Sequence, residues 1–224
     1  MREVTVDTET TGLDPNDGHR VIEIGCVEMV NRMKTGRVFQ AYINPERDVP
    51  EESFRIHGIS AEHLKDKPVF AAVTAEFLEF VGDSQMVMHN AGFDLKFINH
   101  ELNRQQIKSI PASQTVDTLY MARKKFPGAP ASLDALCRKF NVDLSGREKH
   151  GALLDAHLLA DVYLELTGGR QAKMTLDALA PVETGVAEKI ALAHRQFPPT
   201  PEELAAHAEF LKKIKDPIWE TAES

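Results

Sequence analysis

The sequence has two cysteines, one tryptophan and three tyrosines in 224 residues. It has no apolar run near the ~18 residues that a membrane-spanning helix needs. Two cysteines are too few for a disulfide framework or a cysteine-rich zinc module. Cys26 falls inside a predicted strand and Cys137 inside a predicted helix, where each reads as a small buried apolar residue. Met1-Arg2-Glu3-Val4 enters a strand pattern at once and leaves no room for a secretory signal, so a cytoplasmic, reducing setting is expected. Positive charge is scarce as well: 26 Lys and Arg against 34 Asp and Glu give a net charge of −8. That balance argues against a broad basic nucleic-acid groove, though not against an enzyme that grips a few nucleotides through metal ions. Also absent are G-x-x-x-x-G-K-[ST] for nucleotide phosphates, G-x-G-x-x-G for a dinucleotide and G-x-S-x-G for a serine nucleophile. There is no internal repeat and no low-complexity tract.

What is present supports one sizeable domain and an appendage, with 42% hydrophobic residues. The β-branched run Val4-Thr5-Val6 opens a strand. After the turn formers Gly12 to Gly18, Val21 to Val30 reads as a long strand, and Phe39 to Ile43 reads as a third beyond a polar turn at Asn31 to Gly36. Helical spacing predicts helices over Val69 to Val81, Gly92 to Leu102, Asp117 to Phe126, Leu133 to Phe140 (capped by Ser132) and Ala152 to Leu166, with a short strand over Gln85 to His89. Strands first, then alternation, then helices indicate an α/β domain around a mixed sheet over residues 1–168, ending at Gly168-Gly169. Residues 169–224 read as a linker and tail, in which Thr200 caps a short helix with Pro201 at its first position.

Four acids stand where apolar residues belong. Asp7 and Glu9 project from one face of the opening strand, because side chains alternate with period two. Two carboxylates ~4 Å apart repel by ~4 kcal/mol at an effective dielectric near 20, and a divalent cation with oxygen ligands is the natural compensation. On the helix Ala152 to Leu166, Asp155 shares the apolar stripe of Leu158, Leu159, Val162 and Leu166, where a carboxylate is costly unless paired or metal-bound. Asp161 lies off that stripe. Asp94 lines up with Phe97 and Ile98 in the same way, although a first-turn Asp also suits a helix dipole. Four converging acids make a site for two divalent ions that clamp a phosphodiester in line. His150, in a loop of glycines and charges five residues before Asp155, can take a proton from the attacking water, since imidazole titrates near neutral pH.

The set Asp7-x-Glu9, His89-Asn90-Ala91-Gly92-Phe93-Asp94 and His150-x4-Asp155 resembles the three motifs of the DEDDh 3′–5′ exonucleases, over roughly residues 3 to 166. Within that superfamily the similarity is to the proofreading subunits of bacterial DNA polymerase III. The resemblance implies a ribonuclease-H-like mixed sheet flanked by helices, two Mg²⁺ or Mn²⁺ ions held by Asp7, Glu9, Asp94 and Asp155, and a nucleoid-associated life among DNA 3′ ends. It implies contacts from Asp7, Glu9, Glu52, His57 and Asp155 to the terminal nucleotide. It further implies a sliding clamp bound through Gln171, Met174 and Leu176, the polymerase alpha subunit bound through the tail, and a possible small third core subunit. Within that tail Trp219, the chain's only tryptophan, is the expected anchor, since tryptophan is enriched at binding hot spots. Two rivals remain. An RNA-trimming exonuclease of the superfamily is expected to lack the tail, and a non-catalytic scaffold between clamp and polymerase is expected to have lost the acids.

Overall fold

The computed structural model describes residues 1–145, 149–169 and 198–214. The chain divides into two compact units, Met1–Met174 and Thr175–Ser224. Five strands form one sheet in the order β3-β2-β1-β4-β5, with β1 Arg2–Thr10, β2 Val21–Val30, β3 Met33–Tyr42, β4 Gln85–Met88 and β5 Thr115–Asp117. β1 pairs antiparallel with β2 and parallel with β4; β2–β3 is antiparallel and β4–β5 parallel. The helices are α1 Glu51–His57, α2 Ala61–Leu64, α3 Phe70–Val81, α4 Ala91–Arg104, α5 Thr118–Lys125, α6 Leu133–Phe140, α7 Ala152–Leu166 and, in the second unit, α8 Pro201–Leu211.

Period two divides β1 between two faces. Val4 and Val6 point into a core with Phe70, Phe77, Phe97 and Ile98, which come from α3 and α4. Glu3, Thr5, Asp7 and Glu9 take the opposite face, where α7 lies. Tyr163 donates from its hydroxyl to Glu3 (2.7 Å), and the Thr5 hydroxyl donates to the Ala156 carbonyl (2.8 Å). α7 therefore runs along β1 and brings Asp155 to the level of Asp7. The helix can lie this close because residue 25 is glycine, paired with Asp7 in the ladder. A Cβ there would sit 2.2 Å from the Ala152 carbonyl carbon.

The structure differs from the expected elements at one turn and adds two short helices and a short strand. Asn31 and Arg32 both have positive φ (53° and 67°), so a tight turn there starts β3 at Met33 rather than Phe39. Residues 33–38 are all exposed, and Lys34, Thr35 and Arg37 among them are polar, so this part of the edge strand carries no inward apolar signal. Helices α1 and α2 and strand β5 are too short for periodicity to show. The predicted caps hold: Ser132 accepts from the Ala135 N–H, and Thr200 with Glu203 closes a capping box on α8. Gln171, Met174, Leu176, Trp219 and most of the predicted linker lie outside the described residues.

Candidate active site

The four predicted acids meet at the carboxyl end of β1, where β4, running parallel to it, hands the chain to α4. Asp7 and Glu9 come from β1 itself. Asn90 adopts a left-handed conformation (φ 71°) that asparagine tolerates, and this turns the chain straight from β4 into α4. The carboxylate of Asp117 fixes that turn by accepting from the Asn90 N–H (3.1 Å) and the Leu119 N–H (2.9 Å). Asp94, in the first turn of α4, is 4% exposed and accepts from both the amide (3.1 Å) and the hydroxyl (2.7 Å) of Thr8. Asp155 is 3% exposed on α7. His150 is half-exposed, with Nδ1 3.2 Å from Asp155 Oδ2. Its backbone amide donates to the Ile56 carbonyl (3.3 Å).

The electrostatics are those of crowded anions. Burial pushes the Asp7 carboxyl well above its ordinary range, and Asp94, Glu9, Asp155 and Glu23 push it further. Burial raises Asp94 to about 7 against the opposing hydrogen bonds from Thr8. The neighbours acting most strongly on Asp7 are thus all carboxylates, an arrangement that oxygen-seeking divalent cations satisfy. Ligand atoms of Glu9, His150 and Asp155 lie within 4.8 Å of one another. The residues present fit a divalent metal.

Two cavities flank the cluster. One, of about 540 Å³, is lined by Asp7, Asp155, His150, His89, Arg123 and Ser132 among others. The second, of about 520 Å³, is lined by Glu9, Asp14, Asp17, Glu52, His57 and Phe93 among others, and by no lysine or arginine among the described residues. Glu52 lies in the first turn of α1 and His57 ends that helix; residue reading alone makes His57 a turn residue. His57 is buried, and burial, then Lys149 and His150, lower its pKa to about 4. Its Nδ1 accepts from the Ile59 N–H (3.0 Å), so the neutral ring carries its proton on Nε2, which is buried and has no hydrogen-bond partner among the described residues.

Three site residues escaped the sequence reading: Arg123, Asp117 and Glu23. Glu23 offered a signal, since it interrupts the apolar run Val21-Ile22-Glu23-Ile24 as Asp155 interrupts its stripe. Arg123 and Asp117 offered none, because basic residues at a helix end and an Asp before a helix are ordinary.

A mixed sheet with buried acids at the end of a central strand, and an accessible imidazole beside them, defines a ribonuclease-H-like nuclease. Comparison with known proteins agrees. The exonuclease family model RNase_T matches residues 4–163. DNA polymerase III subunit epsilon of Rickettsia felis is 54% identical over 223 residues, covering 96% of this chain and 97% of that protein. The subunit of the same name from Escherichia coli K12 is 47% identical over 177 residues, covering 75% of this chain and 72% of that one. Among solved structures, Exonuclease X in complex with 5′-overhanging duplex DNA superposes with a TM-score of 0.61 at 24% identity, covering 78% of this chain and 98% of that one. The nuclease domain of 3′hExo, a DEDDh family member bound to rAMP, gives 0.64 at 19% identity, covering 74% and 91%. The chain belongs to this exonuclease family, alongside the DNA polymerase III epsilon subunits.

Proposed function

We propose that this chain is a proofreading 3′–5′ exodeoxyribonuclease, the nuclease subunit of a replicative DNA polymerase, which hydrolyses the terminal phosphodiester and releases nucleoside 5′-monophosphates. The observation that carries the chemistry is the convergence of Asp7, Glu9, Asp94 and Asp155 beside the accessible imidazole of His150. The enzyme depends on divalent metal, as its family does. In this reading Asp7, Glu9, Asp94 and Asp155 hold two Mg²⁺ or Mn²⁺ ions, which when bound polarise the scissile phosphate and stabilise the charge that builds on it. His150 accepts the proton of the attacking water.

Charge assigns the two cavities. The leaving nucleotide ends in a free 3′-hydroxyl and suits the cavity that no lysine or arginine among the described residues lines, where Glu52 can accept from that hydroxyl and the His57 Nε2–H can find an acceptor. The retained strand carries further phosphates and suits the cavity holding Arg123, which forms no ion pair among the described residues. Gln171, Met174 and Leu176 are assigned to a sliding clamp and the tail with Trp219 to the polymerase alpha subunit, on sequence alone. A small third core subunit completes the expected assembly.

Two assays test the reading. Hydrolysis of matched single-stranded DNA and RNA oligonucleotides in Mg²⁺ is expected to favour DNA, and equal or greater RNA turnover would instead select the RNA-trimming rival. Co-purification with a replicative polymerase, followed by excision of a mismatched primer end, tests the proofreading assignment.

A further inference from the structure

α7 carries Asp155 and follows directly on His150, so the reaction depends on where its first turn lies. The amides of a helix's first turn have no partner within the helix. Gly151, at the capping position, has no side chain to offer one. The partner comes from the sheet: Glu23 Oε2 on β2 accepts from the Ala152 N–H (3.1 Å). The other carboxylate oxygen, Oε1, accepts from Gln40 Nε2 on β3 (2.8 Å). Glu23 is 2% exposed and stands directly opposite Glu9 in the ladder. A like charge is disfavoured in both respects, so its presence calls for a compensating task. Gly25, two residues on and on the same face, removes the side chain that would hold α7 off the sheet.

We propose that Glu23 is a positioning residue: with Gly25 it forms a seat on β2 for the first turn of α7, and so fixes Asp155 and His150 against Asp7 and Glu9. This rests on the reading of Asp155 as a metal ligand and His150 as the base. The Glu23 oxygens accept from the helix and from Gln40, beside the Tyr42 hydroxyl, and its assigned role is positioning and not metal ligation. The seat needs reach rather than charge. A glutamine accepts from the Ala152 N–H equally well, while the Gln40 amide turns to present its oxygen. An aspartate keeps the charge but is one methylene short.

The test compares Glu23→Gln, Glu23→Asp and Glu23→Ala in the full chain, reading kcat and KM on an oligonucleotide and Mn²⁺ affinity by calorimetry. The expected result is near wild-type behaviour for Glu23→Gln. For Glu23→Asp and Glu23→Ala, kcat and Mn²⁺ affinity should each fall by ~10- to 100-fold, the range for residues that support metal ligands, with KM unchanged. Thr5→Val cuts the next tie along α7; it should lower the melting temperature and leave Mn²⁺ affinity intact. The proposal is overturned if Glu23→Asp retains affinity while Glu23→Gln loses it, or if Thr5→Val weakens Mn²⁺ as Glu23→Ala does. Should Glu23→Ala fail to fold, the glutamine–aspartate pair still decides. A wild-type chain that binds Mn²⁺ but hydrolyses nothing would count against the reading of Asp155 and His150, while the calorimetry alone would still judge the seat.

Discussion

The Nδ1 atom of His150 lies 3.2 Å from Oδ2 of Asp155, the imidazole half-exposed and the carboxylate buried. One partner reaches solvent and the other does not, which suits a base that exchanges protons beside a fixed ligand. His150→Ala should therefore slow hydrolysis by ~10²–10⁴, the usual worth of a positioned general base. Mn²⁺ affinity, read by calorimetry, should stay at the wild-type value. Since His150 also lies within ligand range of Glu9 and Asp155, a loss of affinity comparable with that of Asp155→Ala would make it a ligand instead.

Asp94 supplies a test in the absence of metal. Its folded pKa is raised to about 7, chiefly by burial, above the ~3.9 of an unfolded aspartate. A raised carboxyl contributes stability that is fully present below the unfolded pKa and lost as pH rises through the folded one. In EDTA, Asp94→Asn keeps an oxygen for the Thr8 donors and has no proton to lose. It should melt above wild type at pH 8, and the advantage should vanish toward pH 4. His57, whose depressed pKa acts in the opposite direction, is common to both proteins and cancels in the difference. Melting curves that stay parallel across this range would sink the prediction.

Much of this was legible in the sequence, for a reason that also marks its limit. Asp155 and Asp94 stand out because each occupies a stripe of leucine, valine, phenylalanine and isoleucine, and burial of a bare carboxylate is too costly to be incidental. The bounds of α6 and α7 were readable because Ser132 and the Gly168-Gly169 stop punctuate them. The exposed half of β3, the short β5 and the helix bearing Glu52 and His57 were not, since none has enough length or contrast to set a period. Arg123 was silent for another reason: its importance comes from the cavity it joins, which only the packed fold creates.

Arg123 leads to a prediction that separates binding from chemistry. If it holds a phosphate of the retained strand, Arg123→Gln should raise KM for oligonucleotides and flatten the dependence of binding on salt. It should leave hydrolysis of thymidine 5′-monophosphate p-nitrophenyl ester untouched, because that substrate has no strand to fill the cavity. An equal loss on both substrates would show that Arg123 acts on the acids and not on the strand.

The tail gives the last test. Helix α8 begins with a full capping box and exposes Leu204 (54%) and Phe210 (59%), in a unit separate from the one that carries the acids. Exposed large apolar side chains on a well-capped helix suit a partner surface. The sequence places Trp219, the chain's only tryptophan, a few residues beyond, and tryptophan is among the residues most enriched at binding hot spots. If this segment docks on the polymerase, a chain ending at Gly169 should hydrolyse free oligonucleotides at the wild-type rate and no longer co-purify with the polymerase. Trp219→Ala in the full chain should weaken that association while leaving oligonucleotide hydrolysis unchanged. The alternative is that the tail completes the nuclease. It predicts that truncation lowers the melting temperature and the activity together, and a truncated chain that still binds polymerase tightly would place the docking surface in the nuclease domain instead.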